Sequence, residues 1–183
     1  MQMYVITGGA GFLGSNIAAG IEERDMGEIT IIDRFENDNR WKNIAKRSIR
    51  DVVFPENMME YLDKNAENID GIIHINFTGF SEEKDVDQLI EERIHTTWKL
   101  WEWCAENRVP FVYDSTAGVY GDGSLGFVDD DSVLGLSKLS PLSPAAWTKL
   151  FIDRKIVDTI NAGEPVPPQW IGVRCFNLYG PNE

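Results

Sequence analysis

Short apolar runs alternate with longer amphipathic stretches along the whole chain. Strands that alternate with helices are typical of a parallel sheet covered by helices on both faces. We therefore predict an α/β fold, a doubly wound parallel sheet with strand order 3-2-1-4-5-6. The predicted strands lie at about Met3–Thr7, Ile29–Asp33, Asp51–Phe54, Gly71–Ile75, Phe111–Asp114 and Trp170–Phe176.

The stretches between the strands predict helices, two of them long. Ser143 and Pro144 have the residue types of a helix cap and a first helical position, which indicates where the second long helix begins. The predicted helices span about Phe12–Arg24, Pro55–Asn65, Lys84–Asn107 and Pro144–Asn161, with partial helix in Arg34–Arg47 and a long loop over Gly121–Ser140.

A glycine-rich turn directly follows the first strand. Gly9, Gly11 and Gly14 satisfy G-x-G-x-x-G, and Gly8 with Gly11 and Gly14 satisfies G-x-x-G-x-x-G. Asp33 lies about 20 residues after the turn, where an acid that binds a ribose hydroxyl is expected. Glycines let the backbone approach a pyrophosphate, and a helix N-terminus offers it amide groups. The pattern predicts a dinucleotide site on Gly8, Gly11, Phe12, Leu13 and Gly14; the alternative is a strand–helix turn without a ligand.

Composition and charge limit the classes of function. The 183 residues are 43% hydrophobic, which suits one domain over residues 1–183. With 17 Lys and Arg against 30 Asp and Glu, the net charge is -13, so nucleic acid and anionic membranes are excluded as partners. Cys104 and Cys175 lack metal-ligand spacing, and no apolar run is long enough to span a membrane. We expect a cytoplasmic protein that binds no metal.

Seven stretches of the sequence form a recognisable pattern. They are Thr7–Ser15, Asp33-Arg34 with Trp41-Lys42-Asn43, Ile72-Ile73-His74, Leu100–Cys104, Val109–Gly121, Trp147-Thr148-Lys149 and Pro167–Asn182. Through them the chain resembles the extended short-chain dehydrogenase/reductase superfamily of nucleotide-sugar epimerases and dehydratases, and within it the ADP-glyceromanno-heptose 6-epimerases. The resemblance implies a Rossmann domain, NADP or NAD as cofactor, and epimerisation of a nucleotide sugar by transient oxidation and reduction.

The resemblance also implies which residues transfer protons. In the superfamily a Ser or Thr, a Tyr, and a Lys four residues after the Tyr do this work. Thr116 occupies the Ser/Thr position and Lys149 the Lys position, where Lys149 is also expected to bind the cofactor. Ala145 stands where the family has Tyr. A methyl group cannot exchange a proton, so the chain is expected to lack the general acid/base.

Other departures lie near the same chemistry. Asn76 and Phe77 replace a pair of small residues that the family keeps against the cofactor, and Arg93 replaces an Asn on the long helix. The family's further Lys and its C-terminal substrate domain are expected to be absent. Three functions stay open: an impaired epimerase domain, a non-catalytic nucleotide-binding module or pseudoenzyme, and a structural remnant that binds nothing.

The remaining expectations concern cofactor choice and assembly. Asp33 favours NAD and Arg34 favours NADP, with a preference for NADP because the resembled epimerases use it. Asp51 resembles the family's adenine-contacting acid, or is a turn residue at a strand end. His74 is expected to be a packed, hydrogen-bonded imidazole. The family often pairs through its two long helices, so a homo-oligomer is possible.

Overall fold

The computed structural model describes residues 2–35, 39–76 and 85–183. Six strands form one parallel sheet in the order β3-β2-β1-β4-β5-β6. This confirms the predicted doubly wound fold and its strand order. The strands are β1 (Met3–Thr7), β2 (Glu28–Ile32), β3 (Asp51–Val53), β4 (Gly71–His74), β5 (Phe111–Thr116) and β6 (Trp170–Cys175).

Helices connect successive strands. The long predicted helix from Lys84 to Asn107 consists of two α-helical segments joined by a π-helical segment, Ile90–His95, although Lys84 itself lies outside the described residues. No helix in the described part of the chain is long and apolar enough to cross a bilayer. The α-helices are α1 (Phe12–Glu23), α2 (Trp41–Ile44), α3 (Met58–Asn65), α4 (Val86–Leu89), α5 (Thr96–Asn107), α6 (Val133–Lys138) and α7 (Pro144–Asn161), with 3-10 turns at Pro55–Asn57, Ala66–Asn68 and Ala117–Tyr120.

The chain divides into two compact units, each with its own core. The first unit comprises residues 1–77, 109–112 and 178–183, and the second comprises residues 78–108 and 113–177. The core of the first unit is formed by Ile6, Ala10, Ala18, Ile21, Ile29, Ile31 and Ile44. The second unit buries Val119, Tyr120, Leu136 and Leu150 in one cluster.

The strand register defines the edge of the sheet at which the glycine turn begins. Thr7, the last residue of β1, is paired with Ile32 of β2 and with His74 of β4. Because the strands are parallel, their carboxyl ends lie at the same edge. The turn after β1 and the residue after β2, Asp33, are therefore neighbours at that edge, where open α/β sheets bind their ligands.

The predicted loop Gly121–Ser140 is wrong in part, because it contains α6. Ser132 caps this helix by accepting a hydrogen bond of 3.0 Å from the Gly135 amide, and Leu136 is buried. One buried leucine in a run rich in Asp and Gly gives too weak a periodic signal to predict a helix. The π-helical segment was also missed, since one extra residue per turn hardly alters an amphipathic pattern.

Candidate functional site

The glycine turn of the first unit needs glycine at two positions for steric reasons. Gly8 has a φ of +61°, and a Cβ atom there would overlap the carbonyl oxygen of Ile75. A Cβ atom on Gly14 would overlap the Gly8 carbonyl oxygen and lie 2.6 Å from the Gly9 Cα. These contacts hold the start of α1 directly against the end of β1. Gly8 and Gly14 are therefore required by the fold itself.

Gly11 differs from those two glycines because its missing side chain leaves open space. Within 4 Å of a Cβ atom built there, the described residues supply only the Gly8 carbonyl oxygen, at 3.3 Å. Gly11 is the N-cap of α1 and has no side chain to accept hydrogen bonds from the first-turn amides of Phe12 and Leu13. The space and the amides fit a phosphate group, which helix N-termini bind well.

Asp33 lies beside this turn, as the sequence predicts. Its side chain is nearly buried and accepts hydrogen bonds from the amides of Ala10, at 2.9 Å, and Arg34, at 2.8 Å. The Arg40 guanidinium donates, at 3.2 Å, to the same carboxylate oxygen as the Arg34 amide. Asn43 donates to the Ala10 carbonyl at 2.9 Å. The carboxylate is thus fixed at the carboxyl end of β2, and the sequence did not predict the contacts of Arg40 and Asn43.

Arg34 and Asp51, which are also predicted to contact the cofactor, are not fixed beside the glycine turn as Asp33 is. Arg34 directs its guanidinium to Glu56, 2.9 Å away, and both side chains are 54% exposed. Asp51 is the first residue of β3, where the predicted third strand also begins, and it is level with Thr30. Its carboxylate accepts from the Val52 amide at 2.8 Å. Asp51 therefore lies back from the carboxyl edge of the sheet.

His74 ends β4 as a packed imidazole. Its Nδ1 shares a hydrogen bond of 2.6 Å with the Thr7 hydroxyl, and its ring stacks on Phe111 at a centroid distance of 6.2 Å. The histidine is almost fully buried. This is the structural role predicted for it. Asn76 is half-buried two residues later, whereas Phe77 lies outside the described residues.

In the second unit, Lys149 lies in α7 and forms a buried ion pair. Its ammonium is 2.9 Å from a carboxylate oxygen of Asp114 on β5, with side-chain exposures of 6% for Lys149 and 1% for Asp114. Sequence reasoning missed this partner. The available signal was an acidic residue inside an otherwise apolar strand, since such a group is rarely buried without a partner.

Thr116 and Ala145 lie on elements that meet in the second unit. Thr116 ends β5, and its hydroxyl accepts from the Gly118 amide at 3.2 Å. A Cβ atom on Gly118 would lie 3.0 Å from the Cβ of Ala146, which brings the turn after β5 against the first turn of α7. Ala145 is half-buried in that first turn, four residues before Lys149. Thr116 and Lys149 are therefore on neighbouring elements, and the side chain at position 145 is a methyl group.

Two tyrosines of the second unit belong to a separate buried network. The Tyr113 hydroxyl donates to Asp153 at 2.9 Å, and Arg174 reaches the same carboxylate at 3.2 Å. Arg174 also donates to the Tyr120 hydroxyl at 3.0 Å. Burial and then the Asp153 charge raise the pKa of Tyr113 well above its ordinary value. Burial likewise raises the pKa of Asp153, against the effect of Arg174.

Arg93, at the family's Asn position, is buried in the π-helical segment. Its backbone carbonyl accepts from the Thr97 hydroxyl at 2.5 Å. Isolated π turns within α-helices occur frequently at functional sites. The π-helical segment Ile90–His95 therefore contains Arg93, which occupies the position where the resemblance implies an Asn.

Comparison with known proteins decides the family. A model of the NAD dependent epimerase/dehydratase family matches residues 4–183. The chain belongs to this family. The resemblance inferred from its motifs is therefore confirmed.

Several of the proteins that the chain resembles are named as nucleotide-sugar epimerases. An ADP-L-glycero-D-manno-heptose-6-epimerase of Fusobacterium nucleatum is 37% identical over 183 residues, covering 99% of this chain and 54% of the relative. The same enzyme of Nitratidesulfovibrio vulgaris is 32% identical with equal coverage. A solved UDP-glucuronic acid 4-epimerase from Bacillus cereus, in complex with NAD, aligns with a TM-score of 0.77 and 26% identity over 100% of this chain and 59% of that one. The chain thus spans about half the length of these relatives.

Proposed function

We propose that the chain binds NADP(H) or NAD(H) through the glycine turn of its first unit. The observation that carries this proposal is Gly11, whose missing side chain opens onto space at the N-terminus of α1. The phosphates would be held by the backbone of Gly8, Gly11, Phe12, Leu13 and Gly14. Asp33 would accept a ribose hydroxyl, and Arg34 would hold the 2′-phosphate of NADP.

The substrate class follows from the relatives. Two relatives that match over 99% of the chain are named as ADP-L-glycero-D-manno-heptose-6-epimerases. We propose a nucleotide sugar of this class as the substrate that the dinucleotide would oxidise and reduce. A bound nicotinamide supplies hydride transfer, and the protein must supply a proton acceptor. We further propose a cytoplasmic location and one dinucleotide-binding domain over residues 1–183.

A second candidate is supported by a specific observation at the proton-transfer residues. Ala145 carries no proton-exchanging group, and Lys149 is paired with Asp114. We propose that this chain by itself has little or no epimerase activity, which makes it a nucleotide-binding module. Tyr113 and Tyr120 are poor substitutes for the missing phenol, because their hydroxyls are engaged by Asp153 and Arg174.

The binding experiment is a fluorescence titration with NADPH and, in parallel, NADH. Saturable binding that ADP or pyrophosphate displaces only at much higher concentration is expected. Absence of saturable binding by both dinucleotides would leave the structural remnant as the better description.

The activity experiment measures interconversion of the two ADP-heptose epimers by the 183-residue chain. No measurable turnover is expected, and Ala145→Tyr alone is expected to remain nearly inactive. Loss of a general acid/base typically removes a factor of about 10²–10⁴ in rate. Substantial turnover by the unmodified chain would show that a group other than the residue at position 145 transfers the proton.

The exposed face of α7 supports a weaker proposal about assembly. Trp147 and Phe151 lie one turn apart on that helix, are 37% and 40% exposed, and contact each other with ring centroids 6.0 Å apart. We propose that this apolar pair takes part in a homo-oligomeric contact. Sedimentation analysis of the chain and of Trp147→Lys tests it, with a lower mass expected for the variant.

A further inference from the structure

The ion pair between Lys149 and Asp114 bears on the chemistry at position 145. Ala145 and Lys149 are four residues apart on α7, so their Cβ atoms lie on one face, about 5–6 Å apart. A phenol at position 145 would depend on a nearby ammonium to lower its pKa, because the ammonium stabilises the phenolate. The ammonium must therefore not be neutralised by a carboxylate in contact with it if it is to lower the pKa of that phenol.

Asp114 engages the ammonium at hydrogen-bonding distance. The Lys149 nitrogen and the Asp114 oxygen are 2.9 Å apart, and water reaches neither side chain to a significant extent. A cation in contact with an anion acts on other groups as a dipole, whose field falls off faster with distance than that of a single charge. Screening by salt is weak for buried pairs, so the pairing persists at physiological ionic strength.

A neighbouring thiol responds to both members of the pair. Burial raises the pKa of Cys175 on β6; the Asp114 carboxylate raises it further, and the Lys149 ammonium acts in the opposite direction. The two charges thus oppose each other at a third group close by. The same opposition is expected at a group on the adjacent turn of α7.

We propose that Asp114 is a positioning residue that holds the Lys149 ammonium and withholds it from proton transfer at position 145. This inference deepens the proposed function and rests on it. It adds to the missing phenol on α7 a second defect, which is located on β5. Restoring the Tyr/Lys pair then requires a change at Asp114 as well as at Ala145.

The test is a spectroscopic titration of the phenol introduced by Ala145→Tyr. Its phenolate absorbance is obtained as the difference from the parent chain, without dinucleotide or substrate, so the result does not depend on whether the proposed function is correct. With Asp114 in place, we expect a phenol pKa near its ordinary value of about 10. In Ala145→Tyr combined with Asp114→Asn, we expect a value lower by about 1 pKa unit or more.

Two controls identify the source of that shift. Adding Lys149→Met to the double variant should abolish the decrease, because the ammonium is then gone. The conservative variant Asp114→Glu, combined with Ala145→Tyr, should keep the phenol pKa near about 10. If Asp114 had only a structural role, these variants would differ in stability. The phenol pKa would then not fall with Asp114→Asn and return to its ordinary value with Lys149→Met.

Two results would overturn the proposal. A phenol pKa already lowered by about 1 unit in Ala145→Tyr alone would show that Asp114 does not withhold the ammonium. An unchanged pKa in a folded Asp114→Asn or Asp114→Ala background would do the same. If neither neutral variant folds, as judged by circular dichroism, the single variant decides: an ordinary phenol pKa supports the proposal and a lowered one refutes it.

Discussion

The glycine turn of the first unit and the Lys149 region of the second unit contrast in what they retain. At the turn, Gly8 and Gly14 are enforced by backbone contacts, and Gly11 leaves the space that a phosphate needs. Around Lys149, the expected lysine is present, but its ammonium is engaged by Asp114, and Ala145 stands where a tyrosine is expected. The turn thus combines glycines that the backbone contacts require with open space, whereas the Lys149 ammonium is already paired with a buried carboxylate.

The largest expected effect is on the stability of the glycine turn, where backbone contacts require glycine. Gly14→Ala should lower the free energy of unfolding by about 3 kcal/mol or more, because the added methyl group overlaps the Gly8 backbone. Urea denaturation measures it. The matched control is Gly20→Ala in the same helix, where the new Cβ first meets the flexible end of Arg24 at 3.1 Å. That control should gain about 0.5–1 kcal/mol, and equal stability of the two variants would contradict the argument.

Gly11→Val should separate binding from folding. The side chain would occupy open space, so the fold is kept, with about 1 kcal/mol lost at the helix cap. The same side chain would block the approach of the pyrophosphate. We expect NADPH affinity to fall by about 100-fold or more, which is about 2.7 kcal/mol. Fluorescence titration beside Gly20→Ala measures it, and unchanged affinity in a folded Gly11→Val would place the dinucleotide elsewhere.

The sequence predicts the first region much better than the second, for a physical reason. A strand, a glycine turn and a helix are consecutive in the chain, so their spacing is itself the signal. The Lys149–Asp114 contact joins residues 35 positions apart, and the Tyr113–Asp153 contact joins residues 40 apart. Such pairs depend on how β5 and α7 pack.

The stability of the chain at alkaline pH should show whether Tyr113 is a buried structural phenol or a phenol that ionises freely in the fold. Its folded pKa is raised well above the unfolded value, so its contribution to stability is complete below about pH 10 and is lost as pH rises through the folded pKa. Relative to Tyr113→Phe, the parent chain should lose about 1.4 kcal/mol of stability per pH unit between the unfolded pKa of about 10 and the higher folded pKa. Urea denaturation of both proteins on either side of pH 10 measures it, and a constant difference would show that Tyr113 ionises freely in the fold.

The smallest expected effect concerns cofactor choice at the glycine turn. Arg34 is paired with Glu56 at 2.9 Å, and because both side chains are 54% exposed, the pair is worth at most about 1 kcal/mol. Glu56→Gln should release the guanidinium toward a 2′-phosphate and improve NADPH affinity by up to about five-fold. NADH, which lacks that phosphate, should bind almost unchanged.

Arg34→Gln is the matched control and should weaken NADPH binding selectively. The ratio of the two dissociation constants, measured at low and high salt, should move toward one as salt screens the exposed charge. Equal changes for NADPH and NADH would mean that Arg34 contributes only to the general charge near the turn and does not select between the two dinucleotides.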